Sequence, residues 1–181
     1  MMSTGRSPLK VEKIENGVVI DGLLANSSIP ALKLLGIKCD TPLTPIEYIV
    51  IPLMNIKSER LKRRKDILKI EVEQGNDLDG LIKHVEAHSG YLALIGPGIK
   101  ISEIRNWAVV NEYTPAVPEE VIGVVNCPRY NCVTHEPKPA GSNDHYQPWF
   151  HVVQPDPLIL KCHYCPTQLT NSAIIENLVL K

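Results

Sequence analysis

The chain has 181 residues, a formal net charge of −1, and 44% hydrophobic against 22% charged residues. That is enough apolar content for a packed core, and too little net charge to gather nucleic acid or acidic membrane by field alone. The length allows one domain or two small ones. No apolar run approaches the roughly 20 residues that span a bilayer, and MMSTGRSPLK lacks the apolar stretch of a signal peptide, so a cytoplasmic protein with reduced thiols is expected.

LKVEKIENGVVIDGL reads as two extended runs meeting at Asn16-Gly17, a hairpin dipeptide. Ser28 is expected to cap a helix, IPALKLLG, with Pro30 in its first turn and Gly36 closing it. Two β-rich runs follow, IEYIVIPLMNI at 46–56 and DILKIEVE at 66–73. Leu78, Leu81, Ile82 and Val85 carry helical spacing over Asp77–His88, with Ser89-Gly90 predicted to end that helix. YLALIG and residues 100–111 then supply extended segments. The order strand, helix, strand, strand, helix, strand is that of a ferredoxin-like α+β domain. Pro115, Pro118 and Glu119-Glu120 mark a junction.

Beyond the junction lie four of the five cysteines, in NCPRYNC at 126–132 and KCHYCP at 161–166. Two close pairs form either two disulfides or one metal site, and a reducing compartment favours the metal. Cys127, Cys132, Cys162 and Cys165 would give zinc its tetrahedral thiolate set, one ion per chain. With all four positions filled by protein, that ion is a scaffold, and His135 and His163 find no vacancy on it. Residues 121–181 are too few to bury much core without such a staple. Val121–Val125, Trp149–Val153 and Leu158–Leu160 read as short strands around it, and His135–Pro148 as a long polar loop.

Taken in order, VEKIENGVVID, RRKDILKIE, LALIGP, VPEEVIGVVNCPRYNCVTHEP and LKCHYC resemble the regulatory chain of aspartate carbamoyltransferase over residues 9–166 or so. The resemblance implies a non-catalytic regulatory subunit in pyrimidine biosynthesis. Residues 9–113 would form a ferredoxin-like domain that binds a CTP- or ATP-type nucleotide and pairs as a homodimer. Residues 121–181 would hold zinc and dock on the catalytic chain through Asn131 and Glu136. Carried over by position, the nucleotide pocket falls on Val11, Ile14, Asp21 and Lys69, with Ser102 where the family pattern has Asn and Trp107 where an aromatic is usual.

The pattern also breaks in this chain. Glu112 stands where a second phosphate-binding Lys is expected, and Gly22 where a His is expected. A carboxylate facing a triphosphate repels it, so the pocket is expected either to favour a less charged ligand or to be vestigial. Pro166-Thr167-Gln168 replaces a basic stretch after the last cysteine. A second reading comes from KSERLKRRK at 57–65, six basic residues and one acidic: a zinc-containing interaction protein that binds RNA or a ribonucleoprotein. No aromatic is interleaved for base stacking, and a solvated turn between two strands is the plainer expectation. An enzyme is not expected. Gly96-Pro97-Gly98 reads as a turn and not a phosphate loop. Cys39 beside Asp40 is discouraged from forming thiolate, and His84 and His88, four apart on a helix, lack a third ligand.

Overall fold

The computed structural model describes residues 12–37, 48–73, 75–96, 98–136 and 146–179. Val11, Cys39, Asp40 and most of the 135–148 loop fall outside them. The N-terminal half runs β1 (Gly17–Leu24), α1 (Ser28–Leu34), β2 (Tyr48–Ser58), β3 (Arg63–Val72), α2 (Leu78–Leu92), β4 (Lys100–Arg105) and β5 (Ala108–Tyr113). The strands form one antiparallel sheet ordered β2-β3-β1-β4-β5. This is the expected ferredoxin-like arrangement with β5 added at one edge.

Strand alternation divides the sheet's faces. Val18, Ile20, Leu68, Ile70 and Ile101 are buried, in one core with Ala31, Leu32 and Leu35 from the first helix and Leu81, Ile82 and Val85 from the second. Their neighbours Val19, Asp21, Lys69 and Ser102 take the opposite face, which carries no helix. In register, Val19 pairs with Lys69 on one side and with Ser102 on the other, and Ser102 pairs with Glu112.

Several local expectations are corrected. Asn16-Gly17 turns no hairpin; it delivers the chain into β1. The Asn16 carbonyl accepts from Val72 N and its side chain from Asn106 N. A Cβ on Gly17 would sit 2.1 Å from the Ile70 carbonyl oxygen, so close strand approach, not a turn, demands glycine there. Ser28 is not the cap of α1 but lies within it. The helix N-terminus is instead held by Asp66 from β3, whose buried carboxylate accepts from Ser28 N at 3.1 Å and Ser28 Oγ at 3.0 Å. The same carboxylate accepts from Asn55 N at 2.8 Å, where β2 bulges at a positive φ.

Ser89-Gly90 does not end α2, which continues to Leu92 and then tightens into a 3₁₀ turn at Ala93–Ile95. YLALIG is thus helical, not extended. Ser89 Oγ bonds back to the Glu86 carbonyl, and Gly90 faces the junction, where an added Cβ would make ordinary contact, 3.4 Å from Ala116 O and 3.5 Å from Pro118 Cδ.

The C-terminal half forms a second antiparallel sheet from β6 (Glu120–Ile122), β7 (Trp149–Pro155), β8 (Leu158–Cys162) and β9 (Gln168–Thr170), in that order, followed by α3 (Asn171–Glu176). Val125 makes only a lone bridge, to Leu178. Val121, Val125, Phe150, Leu160, Leu169 and Ile174 are buried in the same continuous apolar cluster as the N-terminal core. The α3 helix packs on the 3₁₀ turn. The two halves therefore share one continuous apolar cluster.

Candidate metal centre and effector face

The four cysteines converge from two knuckles. Cys127 and Cys132 flank a turn closed by Cys132 N donating to the Arg129 carbonyl at 3.0 Å. Cys162 ends β8, and Cys165 follows in the next turn, closed by Cys162 N donating to the Thr167 carbonyl at 2.9 Å. All four sulfurs lie within 4.8 Å of one another. Cys127 and Cys165 Sγ are 3.6 Å apart and Cys132 and Cys162 Sγ 3.9 Å. Metal–sulfur bonds of about 2.3 Å at the tetrahedral angle place ligand sulfurs about 3.8 Å apart, so the donor set fits a closed zinc site.

Electrostatics agree with that assignment. Burial pushes the Cys127 thiol up to about 12 and raises Cys162 as well, a penalty that a divalent cation among them removes. Cys165 goes the other way, to about 6: burial opposes ionisation, but the Thr167 hydroxyl, 3.2 Å from its sulfur, and backbone N–H favour the thiolate. His135 is not a ligand; its Nε2 bonds the Cys127 carbonyl at 2.5 Å, bracing the first knuckle from outside. His163 turns outward onto Trp149, with ring centroids 3.8 Å apart.

The helix-free face of the first sheet brings Asp21, Lys69 and Ser102 together on three adjacent strands. Lys69 is almost wholly buried, which lowers its ammonium from the ordinary 10.5, and it donates to the Glu12 carbonyl. It is more than a solvated member of an alternating strand. Ile14 is buried beside this segment in sequence, whereas Trp107 lies in the β4–β5 turn at a positive φ, 55% exposed. Two cations escaped the sequence reading. Lys65 pairs with Asp21 at 2.5 Å, and Lys100 with Glu112, whose other oxygen is 3.3 Å from Ser102 Oγ. Alternation within RRKDILK places Lys65 and Lys69 on one face and could have found the first of them. The bond from Lys100 holds the Glu112 carboxyl below its ordinary 4.5.

The basic run is largely consumed inside the fold. The Arg63 guanidinium donates to the Gly22 carbonyl at 3.0 Å and Leu23 at 3.3 Å, and Arg64 to Asn55 at 2.6 Å. Lys57 pairs with Glu59. His84 bonds the Leu35 carbonyl and His88 the His84 carbonyl, so neither offers a free ligand pair. Among the described residues, no helix is long and apolar enough to cross a membrane.

A ferredoxin-like sheet with cations on its open face is joined here to a four-thiolate knuckle domain, as the resemblance to a regulatory chain implies. Comparison with known proteins gives the same answer. Residues 9–115 match the family model for the aspartate carbamoyltransferase regulatory chain, allosteric domain, and residues 119–175 that for its metal binding domain. Proteins named aspartate carbamoyltransferase regulatory chain are similar along almost the whole length. The one from Methanothrix thermoacetophila is 35% identical, over 90% of this chain and 92% of its own. That from Metallosphaera sedula is 34% identical, over 96% and 97%, and that from Saccharolobus solfataricus 33%, over 98% of each. The chain belongs to the family of aspartate carbamoyltransferase regulatory chains, which are non-catalytic, and the nucleic-acid reading is not favoured.

Proposed function

We propose that this chain carries a nucleotide signal to an aspartate carbamoyltransferase catalytic chain in the cytoplasm, where reduced thiols persist. Residues 9–113 act as the effector domain and residues 121–181 as the docking domain. The reading rests above all on one observation, the convergence of Asp21, Lys69 and Ser102 on an open sheet face. Val19 and Ser102 lie side by side on that face, and lysines from β3 and β4 stand on either side of β1. Ammonium groups so placed suit phosphate, and the Asp21 carboxylate suits a ribose hydroxyl or base amine. Val11, Ile14 and Trp107 are assigned to the same pocket by resemblance.

Docking falls to the first knuckle. Arg129 Nε donates to Asn131 Oδ1 at 2.8 Å, stiffening the turn, and Tyr130 at its tip is 96% exposed. A protruding tyrosine is the kind of side chain that anchors an interface; Asn131 follows it directly, and Glu136 closes the short helical turn after Cys132. A homodimer through β5 completes the assembly. That edge strand is exposed on both faces, with Val109 60% and Val110 53% accessible, and an unpaired apolar edge is a template for a second strand.

The test is co-purification with a catalytic chain. Chelating the zinc should disperse the complex, while reversing the charges of Arg60 and Lys62 should leave it intact; Arg63 is left unchanged because its guanidinium is bonded to the Gly22 and Leu23 carbonyls. Loss of the partner on charge reversal, with a nucleic acid in the complex and steep salt sensitivity, would overturn the proposal.

A further inference from the structure

At the surface of the zinc domain, Glu120 and His151 face each other across β6 and β7, and Glu120 Oε1 lies 3.4 Å from His151 Nδ1. His151 Nε2 in turn lies 2.8 Å from His163 Nδ1. Both rings are held in place. His163 N donates to the Trp149 carbonyl at 2.8 Å, and its ring stacks on Trp149 at an interplanar angle of 9° with the edge of Tyr164 on its other side. Glu120 thus stands behind the first imidazole, with Nε2 left facing the second ring, the placement of the outer-shell carboxylate found behind metal-bound histidine.

We infer that His151 and His163 form a second metal site, open to solvent and suited to a divalent late transition ion that prefers square or octahedral coordination, such as nickel. The geometry sets the preference. With metal–nitrogen bonds of about 2.0–2.1 Å, nitrogens 2.8 Å apart subtend about 86° at the ion, whereas a tetrahedral ion would hold them about 3.3 Å apart. Imidazole nitrogen is a good donor for such ions, and water completes the sphere. Lys161, opposite His151 in the β7–β8 register, opposes a cation; Glu120 offsets it. The ion would tie β6, β7 and the second cysteine knuckle together from outside, a constraint the zinc does not supply.

The experiment titrates the full, zinc-loaded chain with Ni²⁺ by calorimetry while following zinc content and the imidazole NMR signals. One Ni²⁺ should bind per chain with zinc retained, and the two histidine signals should broaden together. His151→Gln and His163→Gln should each weaken binding at least tenfold. Glu120→Gln should weaken it about tenfold, in line with outer-shell substitutions elsewhere, without changing the stoichiometry. His151 is on β7, remote in sequence from the cysteines, so its variant stays informative if His163→Gln disturbs the knuckle. Three outcomes would overturn the site: no Ni²⁺ bound, Ni²⁺ bound only as zinc leaves, or binding by both variants as tight as by the wild type. Any of these would reduce the pair to an N–H···N hydrogen bond.

Discussion

Lys100 on β4 is spent on Glu112 on β5: its ammonium hydrogen-bonds that carboxylate, and Ser102 Oγ lies 3.3 Å from the other oxygen. The last position of the row Lys69–Val19–Ser102–Glu112 is therefore an internally neutralised pair and not a free cation. Arg60 also acts favourably on the Glu112 charge. A highly charged ligand approaching this end meets a carboxylate and must displace it to reach Lys100.

The charge balance can be read directly. Glu112→Lys should strengthen ATP or CTP binding at least tenfold in calorimetry, by exchanging a repulsive group for an attractive one. Lys69→Ala should abolish any nucleotide-induced rise in melting temperature. Absence of binding by any adenine or cytosine nucleotide at millimolar concentration in both the wild type and Glu112→Lys would mean the face is vestigial.

Asp66 supports an inner-face prediction. Its carboxylate takes three bonds, two from Ser28 and one from Asn55, in a fully buried position. Asp66→Ala would strand the two buried Ser28 donors, at about 1–3 kcal/mol for each left unpaired, whereas Asn55, on an exposed residue, can turn to water. Asp66→Asn, which keeps an acceptor, should cost less. Denaturant unfolding measures both, and equal stability of wild type and Asp66→Ala would contradict the bonding described.

How legible these features were in the sequence depended on how local their causes are. The four cysteines could be read because each pair sits within one turn, and thiolate chemistry leaves few alternatives at that spacing. The β1 and β3 faces could be read from alternation. Asp66 could not, since a charge at a core-facing position makes sense only once α1 and the β2 bulge are placed over it. Nor could the run of α2 through Ser89-Gly90, because the helix leads into a buried 3₁₀ turn that α3, far along the chain, packs against. The Lys100–Glu112 and His151–His163 pairs arise from register between strands, which no single segment encodes.

Because the apolar cluster runs through both halves, loss of zinc should be felt beyond the second domain. Cys132→Ser removes one of four thiolates and much of a binding energy on the order of 10 kcal/mol. The zinc content should fall from one per chain toward none. The N-terminal sheet should also melt at lower temperature, because α3 no longer covers the 3₁₀ turn. An unchanged zinc content, or an N-terminal transition identical to wild type, would count against this coupling.

Acid should weaken two surface pairs. Arg105 donates to Asp79 at 2.5 Å and holds its carboxyl below the ordinary 3.8, as Lys100 does for Glu112. A carboxyl whose folded pKa is depressed adds stability that is present above its unfolded value and lost as pH falls through the folded one. The melting-temperature gap between wild type and Asp79→Asn/Glu112→Gln should therefore hold from neutral pH down to about 5, then close below about 3. A gap that widens on acidification would reverse the sign and refute the assignment. Both pairs are exposed, so added salt should narrow the gap at neutral pH.

The last prediction concerns the β5 edge. Among described strands, β5 is paired only on its β4 side, and Val109 and Val110, where the register with β4 slips, are both exposed. Neither face is covered by another described element, which distinguishes β5 from β2 at the other edge, where Ile49 and Met54 are about two-fifths exposed and their neighbours partly covered. Two copies of β5 can pair antiparallel about a two-fold axis, each offering the same residues to the other. A lysine on such an edge opposes strand addition by keeping its charge in water. Val109→Lys should therefore sediment near the chain mass of 20.1 kDa, and the wild type near twice that. Ile49→Lys on β2 should leave the dimer intact, and dimers persisting in Val109→Lys but lost in Ile49→Lys would move the interface to the opposite edge.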